Sequence, residues 1–215
     1  MGWTIPLAAQ LENITNREAI NALKTALEKG SRSAVNQLGR ENGFFGDTRV
    51  KIPLPESLQR AERTMRRLGM GKYADELVLT MNRAAEAAVP EAKQLFVDSV
   101  KKMSVQDAKG ILTGGDTAAT DYFRRATRPQ LTQRFLPIVK KATDNAGLAQ
   151  QYNALASQGA ALGLVKGDEA SIERYVTQKA LDGLYFMIGE QEKAFRGDPV
   201  GASSAIVRKV FGALR

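Results

Sequence analysis

Within Leu79–Phe96, "LTMNRAAEAAVPEAKQLF", an asparagine, an arginine and a glutamate stand among alanines at positions 82, 83 and 86. On a helix, Asn82 and Glu86 lie one turn apart on a stripe shared with Asp75 and Leu79, and Arg83 sits beside it. An amide, a guanidinium and a carboxylate gathered in this way can face a polar ligand inside a helical bundle. They can equally form a surface face, or a buried hydrogen-bonded network that fixes how neighbouring elements meet. The residues favour the network, set across a close-packed helix junction, with Pro90 turning the chain into the next helix. Asn82, Arg83 and Glu86 are also the first binding candidates.

A second constellation is Leu112–Pro129, "LTGGDTAATDYFRRATRP". Two glycines ahead of a helix N-terminus offer backbone N–H groups and the positive end of the helix dipole to an anion, with Thr117 and Thr120 as extra donors. Asp116 would place its own carboxylate there, so capping by Asp116 or Thr117 is the preferred role. Asp116, Thr120, Tyr122 and Arg124 complete the binding candidates. Arg124, Arg125 and Arg128 beside Tyr122, and Arg60, Arg63 and Arg67 on one face of an earlier helix, are candidates for contact with an anionic surface. Glu56 and Glu62 interrupt the earlier set, which favours a solvated face. Tyr175, Lys179 and Asp182 form an i,i+4 and i,i+3 series that suits packing and snorkelling. Glu190, Glu192 and Asp198 show neither dyad nor metal-ligand spacing.

Composition narrows the chemistry. The chain has no cysteine and no histidine, which removes thiolate nucleophiles, disulfides, zinc sites of the usual nitrogen and sulfur type, and the side chain best suited to proton transfer near neutral pH. Carboxylate or lysine chemistry, a serine–lysine pair, or an oxygen-ligand cation site would remain, and none has a signature here. Phosphate-binding loops, the dinucleotide fingerprint, the GxSxG elbow and the alternating Asp/Asn calcium loop are all missing. No cofactor and no metal site is expected, and a binding or structural role is favoured over catalysis. The formal charge is +8, distributed unevenly. Residues 1–68 carry 11 basic and 7 acidic side chains, 69–103 carry 5 and 5, 104–166 carry 8 and 4, and 167–215 carry 7 and 7. Acidic partners such as anionic lipid therefore merit a test, with nucleic acid behind them for want of interleaved aromatics. No apolar run approaches the roughly 18 to 20 residues needed to span a bilayer.

The elements that must position these residues are helical almost throughout. Helices are expected over Thr15–Gly39, with Thr15 and Glu18 as a capping box and Gly30-Ser31 as a kink or split; over Pro55–Leu68, closed by Gly69; and over Lys72–Ala88. More follow over Pro90–Met103, over 105–112 behind the N-cap Ser104, over Ala118–Thr127, and from Pro129 to about Gly147 with a bend at Pro137. The remainder are expected over Leu148–Gln158, Glu169–Phe195 and Val200–Leu214. "LYFMIG" in the long segment is apolar on nearly every side, as for a helix surrounded by others. "ENGFFGDTRVKIPLPE" breaks the pattern and is expected to be an ordered loop with one very short strand near Val50–Ile52. The expected architecture is all-α, a compact bundle of about nine helices. Residues 1–15 would be an N-terminal extension or an expression remnant, and 16–215 a single domain.

"VKIPLPESL", "DELVLTMNRAAEAAVPEAK", "DAKGILTGGDTAATDYFR", "FLPIVKK" and "YVTQKALDGLYFMIGEQEKAFR" together resemble the bacterial domain-of-unknown-function family four-one-nine-seven, from about Ala19 to Phe211. The resemblance implies an exported, periplasmic, all-helical protein without an assigned activity. The opening residues lack the pattern of a signal peptide, so the periplasm rests on resemblance, with the cytoplasm as the alternative. The expected function is a non-enzymatic envelope protein that binds a protein partner or an apolar small molecule. The alternatives are an anionic-surface binder and a carboxylate-based hydrolase or lyase.

Overall fold

The computed structural model describes residues 16–67, 69, 71–144, 152 and 171–197. The expected Thr15 cap, the helix at Leu148–Gln158 and the final helix at Val200–Leu214 lie wholly or mainly outside them. Seven α-helices are described: α1 Asn16–Leu38, α2 Glu56–Arg67, α3 Gly71–Ala88, α4 Ala92–Lys102, α5 Val105–Thr113, α6 Ala118–Asp144 and α7 Ile172–Gly197, with a 3-10 turn Val89–Glu91 between α3 and α4. The all-α expectation holds, with seven α-helices among the described residues against the nine or so expected over the whole chain.

Two expected breaks are absent. The first helix continues through Gly30 and Ser31, and a Cβ at Gly30 would come within 2.9 Å of the Phe195 ring. That glycine therefore admits a neighbouring side chain. The segments expected to begin separately at Ala118 and Pro129 are one helix, α6, containing both Pro129 and Pro137. Both prolines are exposed, as are Arg125 and Gln133 four residues before them, so the carbonyls that lose an N–H partner sit on a face open to water. Two other boundaries are as expected. Ser104 caps α5, accepting from the Asp107 N–H while its own N–H donates to the Asp107 carboxylate, and Gly69 follows α2 with φ of 77°, a left-handed conformation that glycine adopts without strain.

The strand expected near Val50–Ile52 does not form: residues 39–55 are turns and irregular backbone. Ile52 explains why, because its N–H donates to Asn82 Oδ1 at 2.9 Å and its carbonyl accepts from Asn82 Nδ2 at 2.9 Å. One side-chain amide stands where a neighbouring strand would be.

The described residues group into two compact units. One comprises the described residues within 16–34, 94–127 and 187–197, the other those within 35–93 and 128–186. In the first, Leu23, Phe96, Ile111, Phe123 and Ile188 are buried, and the Phe96 and Phe123 rings meet edge to face with centroids 5.0 Å apart, a favoured aromatic geometry. In the second, Leu38, Phe44, Ile52, Met81, Leu131, Phe135, Leu181 and Tyr185 form the buried set. Gly183 lets Phe44 approach α7, since a Cβ there would lie 2.7 Å from the Phe44 ring. Helix α7 is not enclosed on every side, however: Phe186 is 40% exposed.

Candidate functional site

In the second unit, α3 holds the loop 39–55 through the three residues first singled out. Asn82 is fully buried and Glu86 is 5% exposed. Besides gripping Ile52, Asn82 Nδ2 donates to the Val78 carbonyl at 2.7 Å. Glu86 Oε1 accepts from the Phe44 and Phe45 N–H groups at 3.0 and 3.1 Å, and Oε2 accepts from Arg83 Nη1 at 2.5 Å. Arg83 Nη2 continues to Asn42 Oδ1 at 2.9 Å and Glu41 at 3.2 Å. The network therefore ties a helix to a loop, not to another helix as expected. A carboxylate satisfied by two backbone donors and a guanidinium tolerates burial that a bare charge would not.

The grip fixes what the loop presents. Phe44 points inward and is fully buried, whereas Phe45 is half-buried under the Lys51 ammonium, 4.0 Å from the ring centroid, within cation–π range. Phe45 opens onto a groove of about 510 Å³ whose apolar lining includes Pro53, Leu54 and Val78 and whose charged lining is Lys51, Glu62, Arg66 and Asp75. Arg66 donates to Glu62 Oε1 at 2.8 Å and to Asp75 Oδ1 at 2.5 Å. The guanidinium beside Asp75 holds that carboxyl below its ordinary value, and the two carboxylates raise Arg66 in return. Sequence reasoning named neither Arg66 nor Asp75 as a site residue, although the i,i+4 spacing of Glu62 and Arg66 was a visible signal.

In the first unit, the N-terminus of α6 already holds an anion, supplied by the chain. Glu192 Oε1 accepts from the Ala119 N–H at 2.9 Å, and Oε2 accepts from the Thr120 N–H at 2.9 Å and the Thr120 hydroxyl at 2.8 Å. Arg196 donates to Glu192 Oε1 and also to the carbonyls of Ile111, at 2.9 Å, and Gly114, at 3.5 Å. The expectation that Asp116 or Thr117 fills this position is corrected. Asp116 is exposed, the Thr117 hydroxyl donates to Asp121, and the carboxylate on the helix end comes from α7. Glu192 was passed over because its partners lie more than 70 residues away. Its place four residues after the buried Ile188 was the available clue.

The remaining candidates are dispersed. Tyr122 is buried, its hydroxyl donating to the Ser99 carbonyl at 2.7 Å, with its ionisation pushed up by burial; it therefore does not join Arg124 and Arg125 on a cationic surface. Those two arginines are exposed on the first unit. Arg128 belongs to the second, where it donates to Asp182 at 3.0 Å and Gln178 at 2.7 Å. Arg63 and Arg67 are exposed, and the side chain of Arg60 lies outside what is described. Tyr175 donates to the Pro53 carbonyl at 2.9 Å with the Lys179 ammonium 5.7 Å from its ring, the packing role expected. Among the described residues no three acidic side chains gather as a metal site, and no helix is long and apolar enough to cross a membrane.

A family model described as "Protein of unknown function (DUF4197)" matches residues 13–212. Neither a curated protein nor a solved structure matches the chain.

Proposed function

The chain belongs to the DUF4197 family, and from that premise and the held loop we propose that it is a non-enzymatic binding protein whose recognition element is Phe45 and the groove beside it. One observation carries this reading: two buried side chains, Asn82 and Glu86, direct their hydrogen bonds to the backbone of residues 44, 45 and 52. A loop held so firmly presents Phe45 already ordered, which lowers the entropy lost on binding. The preferred occupant is a partner-protein segment with an apolar side chain for Pro53, Leu54 and Val78 and polar groups for the charged rim. A small apolar molecule is the alternative occupant. The groove offers more room than two cavities described in the first unit. These, bordered by Ala26, Leu27 and Ala119, hold only about 10 Å³ each, scarcely room for one water.

A photo-crosslinking amino acid in place of Thr48, which borders the groove, tests the reading against the same residue in place of the exposed Val105. The expected outcome is a discrete protein adduct from position 48 and none from 105. An added small mass on the intact chain would identify a molecular ligand instead, and equal labelling at both positions, or none, would sink the groove reading.

A carboxylate-based hydrolase or lyase is less well supported. The two acids that converge in the groove both bind Arg66, and Asp75 is pushed down, opposite to what a general acid needs. An anionic-surface role would draw on the exposed Arg63 and Arg67 of the second unit and the exposed Arg124 and Arg125 of the first, while Arg128 donates to Asp182 and Gln178. The proposed compartment is the periplasm, on the resemblance described above. Selective release of the outer compartment from bacterial cells should carry the protein with it, and recovery with the cytoplasmic fraction would place it inside.

A further inference from the structure

A second cleft in the same unit, separate from the groove, lies between α6 and α7. It has a volume of about 220 Å³ and is lined by Thr132, Leu136, Arg174, Thr177 and Gln178. Thr177 is only 1% exposed, and among the described residues its hydroxyl is the one buried side-chain oxygen or nitrogen without a hydrogen-bond partner. Buried hydroxyls are ordinarily paired.

The rest of the lining is rich in donors. Arg174 is exposed and forms no ion pair with a described carboxylate. Its neighbour Glu173 accepts from the Ser171 hydroxyl instead. Gln178 accepts from Arg128 through Oε1 at 2.7 Å, and Arg128 is anchored in turn by Asp182. With the oxygen of that amide occupied, the nitrogen is the end left to donate. Thr132 sends its hydroxyl proton to the Arg128 carbonyl at 2.9 Å. Arg174, Gln178 and Thr177, whose hydroxyl has no partner, thus border one cleft beside the aliphatic Leu136, near the start of α7.

We propose that this cleft binds a small free oxyanion, a molecule bearing a carboxylate or phosphate group. Arg174 supplies the charge, Thr177 and the Gln178 nitrogen complete the hydrogen bonds, and Leu136 contacts a short apolar substituent. Arg128 is a positioning residue that sets the orientation of the Gln178 amide. The volume corresponds to about seven waters' share of the liquid, which fits a small acid and not a polymer.

The test is isothermal titration of the full chain with sodium phosphate and, separately, sodium acetate, against sodium chloride at matched ionic strength. Saturable binding of at least one oxyanion is expected, weakened roughly tenfold or more by Arg174→Met. Thr177→Val should also weaken binding while raising the melting temperature, because the shape is kept and the unpaired hydroxyl is removed. A purely structural threonine would not move the affinity. Absence of saturable binding by either anion overturns the proposal, as does binding left unchanged by both substitutions.

Discussion

At the level of single residues, Asn82 has the most exacting position, since it supplies both partners of one backbone unit while fully buried. Asn82→Ala leaves the Ile52 N–H and carbonyl unpaired and should cost about 3 kcal/mol, a fall in melting temperature of roughly 10 °C for a chain of this size. Asn82→Asp keeps the shape and the acceptor but sets a carboxylate against the carbonyls of Ile52 and Val78, which accept from Nδ2. Thermal unfolding should show the isosteric change to be no milder than truncation, and a wild-type melting curve for either variant would refute the role. That Asn82 and Glu86 form a network was legible, because polar side chains on a stripe with Met81, Ala84 and Ala85 for neighbours are seldom idle. Their partners were not, because backbone N–H groups 30 to 42 residues away leave no trace in residue type. Glu192 was illegible for the same reason.

At the level of elements, α6 shows where periodicity misleads. Its buried residues include Ala119, Phe123, Thr127, Leu131, Phe135, Val139 and Thr143, every fourth position. A step of four residues overshoots one turn of a 3.6-residue helix by about 40°, so the buried stripe winds around the axis and no single apolar face exists to be recognised. With that cue absent, the sequence alone marks Pro129 as a helix start. The glycines allow a sharper test of what α7 and α5 require. Gly183→Ala would drive a Cβ against Phe44 and should destabilise by about 1 to 3 kcal/mol. Gly110→Ala, in the exposed part of α5 with nothing near its added methyl, should stabilise by about 0.5 to 1 kcal/mol. Denaturant midpoints moving in the same direction would show that the contact between α7 and the loop is not as described.

At the level of the whole molecule, three aspartates and an absence bear on the pH response. Asp47 is held below its ordinary value by Arg49, Asp75 by Arg66 and Asp107 by Ser104. A carboxyl depressed in the folded chain contributes stability that is complete above its unfolded value, 3.8 for each of the three. That contribution is lost as pH falls through the lower folded value. These surface carboxylates should therefore add a modest loss of stability below about pH 4, and the acid limb should be slightly shallower in the triple Asp→Asn variant; superimposable acid limbs would contradict it. With no histidine in the chain, the usual titration between about pH 5 and 8 is missing. The all-α class was legible at this scale from composition and punctuation, whereas the grouping of residues into two sequence-discontinuous units was not, because long-range pairing decides it. The Glu192–Arg196 pair bears on the molecule's continuity. One side chain grips the start of α6 and the other the last carbonyls around α5, so together they splint the exposed turn at Gly115. A protease cut there should leave two pieces that still elute as one particle, the peptide bond at that turn being dispensable to the folded chain; pieces that separate would show that the pair does not hold the turn.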